Sequence, residues 1–270
     1  MAAADAEADA DAGGATESVD RMTVTVRAEV LQDVVDQLLT IVDEAIFRIG
    51  YEGLSVAAVD PANVGMVMLE VEPAAFESVG DGMFPIGLNL ERLDDYIGGA
   101  SGADPVTLSY RPERRSIEIE HTNVEVEMAG IDPDAIRDEP DIPAIDPSVE
   151  FETDAGLFVD AVENADLASD HVRFKAVVDD GEVVVIGEGD TDEIKTEISS
   201  EDISDGAIKR DAESLFSLNY LISGGMLKPL GSGTDLRVEY SEDHPVKMHY
   251  DFADGLGHVT MMLAPRVGTN

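Results

Sequence analysis

The sequence predicts an α+β fold built from two similar domains, each with two helices packed on antiparallel sheets. Three observations predict it. Amphipathic helical faces appear twice in each half of the chain, strand-like runs outnumber them, and a proline-rich connector separates the halves.

Residues 1–21 are Ala, Asp, Glu and Gly without periodicity and read as a disordered acidic tail. Met22 opens a β-rich segment, Thr23-Val24-Thr25-Val26. From Leu31 the spacing turns helical: Leu31, Val34, Val35, Leu38, Leu39 and Val42 share one face, with Asp33, Asp36, Gln37 and Asp43 on the other. Strand-like runs follow at 45–49, 54–59 and 65–71, the first two separated by the turn Tyr51-Glu52-Gly53. Leu90, Leu93 and Ile97 mark a second, shorter helix stopped by Gly98-Gly99. Three more runs, at 106–110, 117–120 and 124–128, complete the half. The last two alternate apolar and acidic residues, as half-exposed strands do.

Residues 132–147 contain four prolines. Each proline lacks a backbone donor and fixes φ, so this segment is an extended linker and neither helix nor central strand. Its Ile142, Pro143 and Ile145 are more apolar than a passive spacer requires. Beyond it the programme restarts. Leu157, Phe158, Ala161, Val162 and Ala165 make a helical face, and runs at 172–178 and 183–187 flank the turn Asp179-Asp180-Gly181. An alternating run covers 193–198, and Leu215, Leu218, Leu221 and Ile222 suggest a fourth helix ended by Gly224-Gly225. Runs at 236–240, 247–252 and 259–263 close the set. The halves share an element order at an offset of about 130 residues, too long for a solenoid repeat. The expected division is a tail at 1–21, domains at 22–131 and 148–267, and the linker at 132–147.

The chain carries 58 acidic and 17 basic residues, a formal net charge of -41. The excess is global: -5 over residues 1–21, -19 over 22–147 and -17 over 148–270. With 44% hydrophobic residues the chain is too apolar for acidic disorder. Five lysines among so many carboxylates suit a protein living in molar salt, where a Debye length of about 3 Å screens self-repulsion. There is no cysteine, hence no disulfide, thiol nucleophile or zinc–thiolate site. No apolar run is long enough for a bilayer and no signal peptide is evident, so the expected location is cytoplasmic, without membrane partners.

Catalytic signatures are sparse. No Gly-x-Ser-x-Gly elbow and no phosphate-binding Gly-Lys-Ser/Thr loop occurs. Gly187-Glu188-Gly189 lacks a third glycine, and Asp190-Thr191-Asp192 lacks the rest of a calcium loop. His244 and His249, with His258 nearby, are the remaining metal candidates. Arg111, Arg114 and Arg115 cluster at a hairpin tip, as a solvated turn or a contact for DNA or an acidic partner. The expectation is a binding or structural protein, not an enzyme, with no metal or cofactor.

Four strings in order resemble sliding clamps of the PCNA family. Val59-Asp60-Pro61-Ala62-Asn63-Val64 resembles the family's "MDSSHV" loop, and Ile86-Gly87-Leu88-Asn89-Leu90 its "GVNL" segment. Phe216-Ser217-Leu218-Asn219-Tyr220-Leu221 followed by Pro229-Leu230 resembles the last helix and its exit. Gly257-His258, then Met262-Leu263-Ala264-Pro265-Arg266-Val267, resembles the terminal "GH…YLAPK". The match runs from about Met22 to Val267 and is of haloarchaeal type.

The resemblance implies a DNA-clamp fold in which three subunits close a ring, with helices lining the hole. It implies a non-catalytic processivity factor, nucleoid-associated, that encircles double-stranded DNA as a homotrimer. Clamp loader, DNA polymerase, flap endonuclease and DNA ligase would attach through short peptide motifs. The peptide pocket would use Val59, Asn63, Val64 and Met66, the linker residues Ile142, Pro143 and Ile145, then Pro245, Met262, Ala264, Pro265 and Val267. Leu263 would contact partners or simply pack the body. Subunit contacts would come from Val124, Val126 and Met128 of one chain and Ile194, Lys195 and Ile198 of the next, with Glu125 and Glu127 facing Lys195. Asn63 and Met262 replace the family's usual histidine and aromatic; Gln32 and Asp33 stand where lysines are common on its basic inner helices, Asn219 where arginine is common, and the second helix carries Asp95. Arg92, Lys209, Arg210 and Lys228 remain as DNA-facing candidates. A second reading is an acidic, clamp-like adaptor that binds partner peptides without being loaded on DNA.

Overall fold

The computed structural model describes residues 22–79, 82–137, 146–179, 181–222 and 225–266. The expected tail, linker residues Ile142, Pro143 and Ile145, and the terminal Val267 lie outside these residues.

The first half runs β1 (Met22–Arg27), α1 (Ala28–Leu38), β2 (Glu44–Gly50), β3 (Gly53–Val59), β4 (Gly65–Val71), β5 (Phe76–Val79) and β6 (Met83–Asn89). It continues with α2 (Leu90–Ile97), β7 (Pro105–Arg111), β8 (Ser116–His121) and β9 (Val124–Ala129). The second half runs β10 (Val149–Asp154), α3 (Ala155–Asp166), β11 (His171–Val177), β12 (Glu182–Glu188), β13 (Glu193–Ile198), β14 (Asp205–Ile208) and β15 (Ala212–Ser217). It ends with α4 (Leu218–Leu221), β16 (Asp235–Tyr240), β17 (Val246–Phe252) and β18 (Gly257–Leu263).

The helices begin where local chemistry favours it. Asn89 caps α2 by accepting the Arg92 N–H at 2.9 Å, and Asp154 caps α3 through the Leu157 N–H at 3.3 Å. Along α1, Ala28, Val30, Leu31, Val34, Val35 and Leu38 are buried, so the expected face begins three residues earlier and ends at Leu38, short of Leu39 and Val42. Gln37, expected on the polar face, is buried instead, because its side-chain oxygen accepts the Tyr250 hydroxyl from the other half of the chain. The C-terminal half is centred on an aromatic cluster: Phe174 lies 5.5 Å from Phe158, 5.1 Å from Phe216 and 6.1 Å from Tyr240, centroid to centroid.

The fourth helix departs from expectation. Leu215 lies in β15, which pairs with β11, and α4 is a single turn of four residues. Ala212, Ser214 and Phe216 point inward with period two, a strand signal that the helical spacing of Leu215, Leu218 and Leu221 conceals. Five strands without an expected run also form: β5, β6, β10, β14 and β15. Four of them, β5, β6, β14 and β15, each end a sheet by pairing with a strand distant in sequence, so their order is tertiary.

Three sheets result: β5-β1-β7-β8-β9, β13-β12-β11-β15, and a nine-stranded sheet β14-β10-β16-β17-β18-β4-β3-β2-β6. The long sheet shows the duplication. Its first five strands repeat the order of β5-β1-β7-β8-β9, and its last four repeat β13-β12-β11-β15. The halves are therefore joined where β18 pairs antiparallel with β4, from Gly257↔Val71 to Leu263↔Gly65. Among the described residues, the outer edges of the matching strands, β9 and β13, carry no strand partner.

Candidate functional site

The loop between β3 and β4 is organised by Asp60, which is 4% exposed. One carboxylate oxygen accepts the N–H groups of Val64 at 2.6 Å and Gly65 at 2.8 Å. The other accepts the Ala62 N–H at 2.9 Å and the Tyr220 hydroxyl at 2.8 Å. Burial pushes the Asp60 pKa up, but the hydrogen bonds from Gly65, Tyr220, Val64 and Ala62 outweigh it and hold the group below the usual aspartate value. The loop turns through Asn63 at φ 56°, a left-handed conformation that asparagine tolerates. Val64 accepts the Ala264 N–H at 2.8 Å, which ties the loop to the segment after β18.

Val59, Met66 and Met262 form a cross-strand row over β3, β4 and β18. They are 8%, 5% and 8% exposed. Ala264, Pro265, Val64 and Pro245 are half-buried, and Asn63 is exposed. Leu263 is wholly buried and packs the body. Beside this row lies a groove of about 410 Å³ between Ile41–Ala45, Ala57–Val59 and the start of the linker at Ala135–Arg137. Arg137 donates to the Asn63 side-chain carbonyl at 2.7 Å and joins the linker to the loop. Arg137, Tyr220 and the Ile41–Ala45 wall are not among the pocket residues that the resemblance implies. Each reaches the loop only through folding, and no local spacing announces them.

The helices have an acidic exposed side. The four described helices contain nine carboxylates and one base, Arg92. Arg92 donates to the Tyr96 hydroxyl at 3.0 Å and lies over its ring at 5.7 Å. Asp33 is pushed above the usual aspartate value, by burial first and then by Asp36 and Glu29. Lys228 is exposed in the segment after α4. Lys209 and Arg210 follow β14, away from any helix. The Lys209 ammonium bonds Asp146 at 2.9 Å and its amide bonds the Ser148 carbonyl at 2.8 Å, so this pair flanks the end of the linker.

At the free edges, Val124 is 43% exposed, and Val126 and Ile194 are half-buried. Met128 and Ile198 face the core, fully buried, so they offer an incoming strand only their backbone. Within the chain, Glu127 accepts from the Ser116 hydroxyl at 2.8 Å and Lys195 pairs with Glu193 at 2.8 Å. Leu167, closing α3, is 78% exposed. It lies near β13, because Asn164 on the same helix reaches the Thr196 hydroxyl at 3.4 Å. At the hairpin tip Arg111, Arg114 and Arg115 pair with Glu118, Glu127 and Asp132. His249 bonds Thr260, and His258 bonds Asp251. Among the described residues no group of three His, Asp or Glu side chains is placed to hold a metal, and no helix is long and apolar enough to cross a membrane.

A family model of proliferating cell nuclear antigen, N-terminal domain, matches residues 23–134. The DNA polymerase sliding clamp of Natronomonas pharaonis is 43% identical over 242 residues, 90% of this chain and 97% of that one. The DNA polymerase sliding clamp of Haloarcula marismortui is 41% identical with the same coverage. Among solved structures, the C-terminal region of FEN-1 bound to A. fulgidus PCNA matches with a TM-score of 0.84 at 31% identity, covering 92% of this chain and 100% of that one. PCNA from Thermococcus kodakaraensis shares the fold, with a TM-score of 0.81 at 24% identity, covering 91% of this chain and 100% of that one. The chain belongs to the PCNA family of DNA polymerase sliding clamps.

Proposed function

We infer that the protein works as a sliding clamp, a ring that encircles double-stranded DNA and tethers the replicative polymerase, conferring processivity. One observation carries the reading: the duplicated topology uses one of two equivalent seams inside the chain and leaves the other open. Pairing β9 of one copy with β13 of the next would repeat the β18–β4 seam. Such a head-to-tail contact propagates until it closes on itself. Backbone bonds at the edges supply the pairing, and Val124, Val126, Ile194 and Leu167 supply apolar area beside it. Closure by three copies is the proposed state, with a ring chemistry of tethering and none of catalysis.

Encirclement also accounts for the acidic helices. A closed ring stays on DNA without tight phosphate contacts, and in molar salt counterion release would contribute little to them. Arg92 and Lys228 are the proposed DNA-facing cations; Lys209 and Arg210 are kept with them by sequence position, though they sit beside the linker. The row Val59–Met66–Met262, with Val64, Asn63, Ala264, Pro265 and Pro245, is the proposed seat for a short partner motif with Gln, aliphatic and aromatic anchors. The Archaeoglobus complex makes a flap endonuclease the first partner to test, with clamp loader, polymerase and ligase after it. Mass measurement in molar KCl, followed by loader-dependent retention on nicked circular DNA, tests the whole reading. A trimer retained on the circle supports it. A chain that binds partner peptide but is never retained would be an adaptor instead.

A further inference from the structure

We propose that Tyr220 is a positioning residue for the partner pocket, acting through Asp60 from the opposite half of the chain. This inference rests on the peptide-pocket reading above. Tyr220 belongs to α4, 160 residues from Asp60, and its hydroxyl is the one side-chain donor to that buried carboxylate at 2.8 Å. The other three donors are backbone N–H groups of the loop itself. Local sequence therefore shapes the loop, while Tyr220 sets where the loop sits against the second half. The packing agrees. A side chain on Gly65 would come within 2.9 Å of the Met226 methyl and 3.2 Å of the Tyr220 ring, so the glycine gives the ring room to lie close against the start of β4. Val64 leaves this loop to accept the Ala264 N–H, and both residues belong to the proposed peptide seat. Loss of the hydroxyl leaves one Asp60 oxygen short of a donor and lets the loop shift as a unit, taking Asn63 and Val64 with it.

The control is Tyr250, which joins the halves elsewhere. Its hydroxyl donates to the buried Gln37 side chain at 3.2 Å, on α1 rather than on the loop. A fluorescent peptide carrying the Gln, aliphatic and aromatic anchors is titrated against the full chain in molar KCl, as wild type, Tyr220→Phe, Asp60→Asn, the double variant and Tyr250→Phe. Tyr220→Phe is expected to weaken the peptide about tenfold or more, the size of a lost hydrogen bond to a charged group. Asp60→Asn should make the second change non-additive, and Tyr250→Phe should lower thermal stability without weakening the peptide. Equal affinity for wild type and Tyr220→Phe, or equal losses in both tyrosine variants, overturns the proposal. Amide hydrogen exchange of residues 62–65 in the free chain separates it from the pocket reading. If the wild type binds no peptide, that reading fails; faster exchange in Tyr220→Phe alone still supports positioning, and unchanged exchange refutes it.

Discussion

Replacing Met261 by alanine is expected to weaken both halves of the molecule together. Met261 is fully buried in β18, between Met248 on β17 and Val67 on β4, so its side chain lies at the seam that joins the halves. Truncating a buried methionine to alanine removes transferred apolar surface and leaves a cavity, at a cost of about 2–5 kcal/mol. For a chain of 270 residues the unfolding entropy is roughly 0.6 kcal/mol per kelvin, from about 2.1 cal/mol/K per residue. The midpoint should therefore fall by about 4–9 °C. Calorimetry in molar KCl reads the shift, with far-UV dichroism as a second probe and protomer concentration held constant, because assembly makes the midpoint concentration-dependent. The expectation is one transition before and after the change. Two transitions of which only one moves would refute the idea that the nine-stranded sheet unites the halves into one cooperative unit.

Three further outcomes follow from particular contacts. Leu167→Lys should shift the proposed ring toward monomer in sedimentation, while leaving the monomer's unfolding free energy within about 0.5 kcal/mol, since an exposed side chain contributes little to the free chain. Asp33→Asn should stabilise the protein at neutral pH by roughly a few tenths of a kcal/mol, as expected for a largely exposed charge. The sign follows from a folded pKa raised above the unfolded one: ionised Asp33 costs stability, and the cost disappears as pH falls through that raised value. Its repulsion by Asp36 and Glu29 is screened in molar salt, so the gain should grow as salt is removed. His258→Gln should remove a contact between the halves. The Asp251 hydrogen bond, opposed by desolvation and aided by Glu72, raises the His258 pKa. Its stabilisation is present below about pH 6.5 and lost as pH rises through the raised value. With a side chain 44% exposed, the effect is about 0.2–1 kcal/mol, and a pH series of melting points for both proteins reads it.

Several elements were readable in the sequence because their cause is local. The β4 run at 65–71 and the β13 run at 193–198 appear at the expected bounds, since alternation and flanking turns act within each segment. The α2 helix starts at its Asn89 cap, and the strings at 59–64 and 262–266 lie side by side, joined where Val64 accepts the Ala264 N–H. The fourth helix misled for the reverse reason. Leu215 fits a helical face by spacing, but pairing with β11 recruits residues 212–217 into a strand. Backbone partners outside the window outweigh the propensity within it.

The site divides in the same way. Sequence alone determined the duplication, the acidic composition suited to molar salt and the residue types Val59, Met66 and Met262. Tertiary structure decided that those three form one row, that Met128 and Ile198 are buried while Leu167 is exposed, and that Lys209 and Arg210 lie by the linker. It also brought Tyr220 to Asp60 and Arg137 to Asn63. The physical reason is range. Periodicity, caps and turns are set by neighbours a few residues away, whereas strand pairing and side-chain hydrogen bonds join positions up to 213 residues apart, which no local pattern encodes.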